Sequence, residues 1–388
     1  MKALKKTSAA LIAFAVSASA FAGTDMESRV SELEKKVDMM STTTALGTFG
    51  PNTALARAEP NGMGWRISVD VLYWQTKVGG TEYAVGFNGI TNSSYARKYY
   101  VQEPKFQWDF GFKVGVGYNF DHDGWETNLQ YTYFRNNAQD HVIQNHLPSG
   151  VLSPIVDNGA ILAASSFDQA LTNGTILDYA TEGKAYVRNK YDNLKLDLAR
   201  DFFVSKYLSV RPNFGVQATW INLTRKAKFT GGQVAFTAVD SGFSGGITKD
   251  YSARGLGSAF VRQHVESNFF GVGPKAGLDS RWHLVENFCL YANSEAALLF
   301  GRFKLSRDLS NTANRANSID GYFSFHRLNP MVRFDLGVTY DKYMMCDTQH
   351  LGISLGYENV YYWDVNVIDL IPAGVGMYGV TLKFVWDF

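Results

Sequence analysis

Cysteine, proline and net charge are the scarce quantities in this chain of 388 residues. Two cysteines exclude a disulfide-rich scaffold and a CxxC-type zinc site. Nine prolines and a 46% apolar content exclude a disordered chain. The 37 Lys and Arg against 36 Asp and Glu supply no basic excess for a phosphate backbone, so no nucleic-acid partner is expected. Beyond the N-terminal leader there is also no run of about eighteen apolar residues, which excludes a transmembrane helix. What is plentiful is aromatic residues, 14%, together with 36 glycines, as in a β-rich chain with aromatic bands and closely packed strands.

Lys2, Lys5 and Lys6 precede a mostly apolar run from Ala9 to Ala18 and the small-residue site Ala20-Phe21-Ala22, which reads as a secretory signal peptide over residues 1–22. Residues 23–40 carry the one strong helical pattern. Met26, Val30, Leu33, Val37 and Met40 form an a/d seam, and Thr24 with Glu27 forms a capping box. About two heptads are too short to be stable alone, so a coiled coil between copies, and with it a homo-oligomer, is expected; an ordinary surface helix is the plainer reading. Residues 41–63, rich in Thr, Ala, Pro, Asn and Gly, read as a linker.

From Gly64 to Phe388 the period becomes two. Trp108, Phe110, Phe112, Val114, Val116, Tyr118 and Phe120 share one face; Asp109, Lys113 and Asn119 share the other with glycines. Ten such segments can be counted. Short links at Asp121–Gly124, Arg200–Tyr207, Ser280–Asn287 and Asp341–His350 alternate with long ones at Gly79–Lys105, Asn137–Gly183, Thr224–Gln263, Lys304–Arg327 and Asn359–Met377. A soluble β-sandwich alternates too, but lopsided loops and aromatics at strand ends favour an antiparallel transmembrane β-barrel in a bacterial outer membrane, surrounded by its lipid. The expected class is all-β, with ten strands counted and ten to fourteen possible, because a hairpin such as one through Gln233–Thr237 can hide in a long loop.

The final strand ends in Phe384, Trp386 and Phe388 on one face, the pattern of an assembly signal for the barrel-insertion machinery. The opposite phase of the strands predicts a lining of Arg66, Asp70, Asp109, Lys113, Glu126, Lys195, Asp197, Arg211, Lys275, Asp279, Arg281, Glu295, Arg333, Asp335, Glu358, Lys383 and Asp387. Such a balanced set suits a hydrated pore with little charge selectivity; the competing reading is cross-strand pairing that fills a closed lumen. The 137–183 link is acidic and the 224–263 link basic, so an inward fold of the first would make a constriction, and two solvated outer loops are the simpler arrangement. Residues 159–174 have weak helical propensity.

No catalytic, cofactor or metal site is legible. Gly271–Gly277 resembles a phosphate loop superficially, yet it lies in a strand and lacks the Gly-Lys-Ser/Thr ending. His141 and His146 lack a third ligand. The reading is a porin passing ions and small hydrophilic solutes; the alternatives are a structural or adhesive barrel acting through its loops, and a barrel hydrolase. Cys289 and Cys346 fall at one rim on neighbouring strands, where a disulfide, two free thiols or a bond between subunits are all open.

Gly23-Thr24 behind the Ala-Phe-Ala site, Val71-Leu72-Tyr73-Trp74, Gly273-Pro274-Lys275-Ala276-Gly277-Leu278, Tyr291-Ala292-Asn293, Leu298-Leu299-Phe300-Gly301 and the aromatic C-terminus together resemble the major outer membrane proteins of the Legionella type and related families of environmental chlamydiae. The resemblance implies an abundant, pore-forming and often oligomeric outer-membrane protein. Two cysteines and the coiled-coil segment depart from that pattern.

Overall fold

A strand with lipid on one side and a barrel interior on the other needs alternating chemistry, and such alternation recurs through ten antiparallel strands in the computed structural model. They are β1 Trp65–Val78, β2 Asp109–Asn119, β3 Trp125–Ile143, β4 Glu182–Arg200, β5 Leu208–Thr230, β6 Phe260–Val285, β7 Phe288–Asn311, β8 Ile319–Met344, β9 Gln349–Asn366 and β10 Ala373–Asp387. Each pairs with its successor, and β10 pairs with β1 in the register Arg66↔Asp387 to Val78↔Val375. The sheet therefore closes on itself and leaves no ring strand with a free edge. The structure describes residues 64–88, 98–120, 125–143, 151–154, 181–205, 207–230, 234–239, 248–253, 260–285, 287–311, 319–344, 349–368 and 372–388. The signal peptide, coiled-coil segment, linker, His146, Cys346 and the 159–174 segment lie outside them.

The hairpin allowed for in the 224–263 link exists, over Val234–Val239 and Thr248–Ala253, but its two strands pair only with each other and add nothing to the ring. A second small sheet joins Ala84–Asn88 to Lys98–Gln102 and Val151–Pro154. The ring stays at ten.

Short links gather at one end, together with Trp65 and Phe388, whose backbones exchange hydrogen bonds of 3.0 and 2.9 Å. In outer-membrane barrels that end is periplasmic. Asn287 makes the tight β6–β7 turn with φ 67°, a left-handed conformation that its short polar side chain tolerates.

Ile67, Val69 and Val71 on β1, and Phe112, Val114 and Val116 on β2, all face outward. Trp65, Tyr118, Trp386 and Phe388 lie toward the periplasmic edge of this belt, and Tyr73, Trp108, Trp220 and Phe270 toward its outer edge. A membrane crossing needs about 9–11 residues of tilted strand. Strands β4 to β8 run to between 19 and 26 residues, so they continue well past the belt. Above it the pattern changes phase. On β5, Trp220 is the last outward apolar residue before Asn222, Thr224, Lys226 and Lys228, while Ile221, Leu223, Ala227 and Phe229 turn inward and are buried.

Close approach explains one glycine. The β6–β7 ladder is interrupted at Gly273 and Pro274, and a Cβ at Gly273 would fall on the Leu298 carbonyl. Gly273→Val should cost about 3 kcal/mol or more through overpacking against backbone. The check is loss of the compact folded species on an unheated SDS gel.

Candidate functional site: the barrel interior

Interior side chains come from alternate positions of all ten strands, so residues far apart in sequence meet at one height. At the periplasmic end Arg66 bonds Asp387 at 2.5 Å and also pairs with Glu126, which takes Arg211 at 2.9 Å. His350 bridges Asp387 at 2.6 Å and Asp341 at 3.0 Å. One level up, Lys113 donates to both Glu358 oxygens at 2.6 Å, and Arg333 reaches Glu358 at 2.6 Å and Glu295 at 2.9 Å. Glu295 also takes Lys195 at 2.6 Å, and Lys275 meets Asp197 at 2.7 Å. Asp335 accepts the Tyr291 hydroxyl at 3.1 Å. Asp70 sits in register between Lys113 and Lys383. Asp109, Asp279 and Arg281 occupy inward positions and are partly exposed.

These side chains were expected to line water. Instead, Lys113, Lys195, Lys275 and Glu358 are no more than 4% exposed, and their charges are held by one another. Paired burial is the condition under which ions leave bulk water, since a lone charge there would cost several kcal/mol. A ring of ten is narrow enough for long side chains to meet across it.

The next level decides whether anything passes. Tyr191 on β4 and Tyr362 on β9 are five strands apart in either direction around the ring, hence diametrically opposed, and their hydroxyls are 2.9 Å apart. Gln217 on β5 donates to Tyr362 at 3.1 Å, and Thr219 donates to Asn193 at 3.0 Å. Tyr191 and Tyr362 are 2% and 0% exposed. The lumen is bridged at this height. Beyond it lies an apolar layer that includes Phe134, Ile221, Phe269, Leu299 and Phe303, and into it dip Val367 and Ile368 just after β9. Asn366 anchors that entry by donating to the Gly79 carbonyl at 2.6 Å, and Arg307 donates to the Ile368 carbonyl at 2.7 Å. Tyr83, Phe229 and Ala227 cap the outer mouth.

Sequence reasoning missed Tyr191 and Tyr362. Tyr191 lies in phase with Lys195 and Tyr362 in phase with Glu358, so extending each strand by four residues finds both. Ending the ninth strand near Tyr357 hid Tyr362 in a loop.

Elsewhere, His141 is 2.7 Å from Glu182, and no group of three metal-ligating side chains occurs among the described residues. Cys289 is a buried free thiol with Sγ 3.0 Å from His283 Nδ1; Ser209 Oγ is 3.4 Å from the other ring nitrogen. The glycine-rich 271–277 stretch lies within β6.

Among solved structures, the chain is similar to a major outer membrane protein from Thermus thermophilus at 12% identity, covering 84% of this chain and 99% of that one with a TM-score of 0.31. It is similar to the outer membrane protease OmpT from Escherichia coli at 10% identity, covering 84% and 97% with a TM-score of 0.37. For a Pseudomonas aeruginosa FadL homologue the identity is 9%, the coverage 84% and 91%, and the TM-score 0.26. These likenesses are too distant to carry a function. No curated protein matches the sequence. The family described as the Legionella pneumophila major outer membrane protein precursor matches residues 60–387, so this closed ten-stranded barrel belongs to that family and to the bacterial outer membrane.

Proposed function

We propose that the chain acts as a gated, low-conductance channel for small ions, closed in the state seen here. The observation that carries the reading is the bridge between Tyr191 and Tyr362 across the full width of the lumen, above a layer of exchangeable ion pairs. Glu295 and Glu358 each serve more than one cation, so partners can be traded without leaving a bare buried charge. Steady diffusion of small hydrophilic solutes through an open lumen, expected from the lining, fits poorly with side chains that meet at three successive heights.

Planar-bilayer recording tests this. The wild-type protein should show long closed periods and brief small openings, and the pair Tyr191→Ala, Tyr362→Ala should raise the open fraction about tenfold or more. Large continuous steps from the wild type would indicate a freely open porin. Silence from both proteins would favour the structural or adhesive barrel. Catalysis is no part of this proposal.

A further inference from the structure

The outward face of β4, β5 and β6 above the lipid belt carries Lys184, Arg188, Lys190, Lys226, Lys228 and Arg262. Register places them near one another: Lys184 opposes Lys228, which opposes Arg262; Tyr186, the next outward residue of β4, opposes Lys226, and Arg188 and Lys190 follow on β4 toward the membrane. All are exposed except Lys190, which is partly so. Lys184, Lys226, Lys228 and Arg262 line an open groove of ≈ 790 Å³. Lys184 is tied to Glu182 at 2.7 Å; with Thr230 and His141 it holds the pKa of the Glu182 carboxyl down to about 2, so that group stays ionised. Arg188, Lys190 and Lys226 have no ion-pair partner among the described residues. Like charges at adjacent positions repel, and although Asp140 and Asp308 line the same groove, a further anion beside Arg188, Lys190 and Lys226 would relieve that repulsion.

Toward the membrane, past Asp192 on β4, Thr224 and Asn222 on β5 and His264, Glu266 and Asn268 on β6, the same strand faces turn apolar at Leu194, Trp220 and Phe270. We propose that this surface binds the phosphorylated headgroup of an outer-leaflet glycolipid. A free anion or an acidic peptide would meet the charges alone. A membrane amphiphile alone meets both halves, its acyl chains on the belt and its phosphates on the lysines and arginines, where each cation near a membrane surface adds to the attraction.

Native mass spectrometry of the full-length protein in detergent, with bisphosphorylated lipid A as probe, tests the proposal. Arg188→Glu, Lys190→Glu, Lys226→Glu in combination should weaken lipid A binding about a hundredfold. Added salt should weaken the wild type as well. The three side chains are outward and unpaired among the described residues, and an unheated SDS gel verifies that the variant folds; the Gln triple variant, milder for folding, should give an intermediate loss. Equal binding by wild type and both variants overturns the assignment. So does equal retention of lipid A stripped of its phosphates. Full displacement by excess inorganic phosphate would make this a free-anion site and overturns the lipid assignment too.

Discussion

Glu358→Ala is expected to cost the barrel about 3–5 kcal/mol, the loss seen when one partner of a buried ion pair is removed. Glu358 is 1% exposed and receives Lys113, Arg333 and the Thr381 hydroxyl, the last at 3.1 Å. Deleting it takes from the Lys113 ammonium the one carboxylate at bonding distance among the described residues, leaving Asp70, its cross-strand neighbour, as a longer-range partner. Arg333 suffers less, since Glu295 remains. Reversible urea unfolding in lipid vesicles measures the loss. The paired replacement Lys113→Met, Glu358→Leu removes both charges and should recover much of it. A single-variant cost below about 1 kcal/mol would mean that water reaches this level and the network is not closed.

Removing Phe384–Phe388 should abolish barrel formation outright. Strand β10 is the closing stave: Phe384 to Asp387 pair with Val69 to Arg66 on one side and with Ile353 to His350 on the other. Without them β1 and β9 face the bilayer with open hydrogen-bonding edges, and each unmet backbone group in lipid costs several kcal/mol. Losing Asp387 also leaves Arg66 and His350 without a shared anion. The single change Phe388→Ala distinguishes this structural loss from a lost assembly signal. It leaves the ladder intact and removes one ring from Trp386, 4.9 Å away, so refolding in detergent should stay within about 1 kcal/mol of wild type. In cells the same variant should accumulate unfolded in the periplasm if the aromatic terminus is read by the insertion machinery. Normal insertion would remove Phe388 from that role.

The sequence by itself determined the all-β class and the family, and located ten strands while leaving room for up to fourteen, because a two-residue period over a lipid belt is a local property: Ile67, Val69 and Val71 must face one way whatever lies opposite. It also determined which charges point inward, since parity along a strand places Lys195 and Glu358 without further information. It lost the strands where they leave the membrane. Above Trp220 the solvent outside changes from lipid to water, the inside turns apolar, and the alternation inverts at Ile221, so a search for continuous outward apolar residues stops there. Only the tertiary structure decided that Tyr191 and Tyr362 bridge the lumen. Whether Tyr191 meets Tyr362, or Lys113 meets Glu358, depends on the width of the ring and on which strands stand opposite, and those are set by all ten pairings at once.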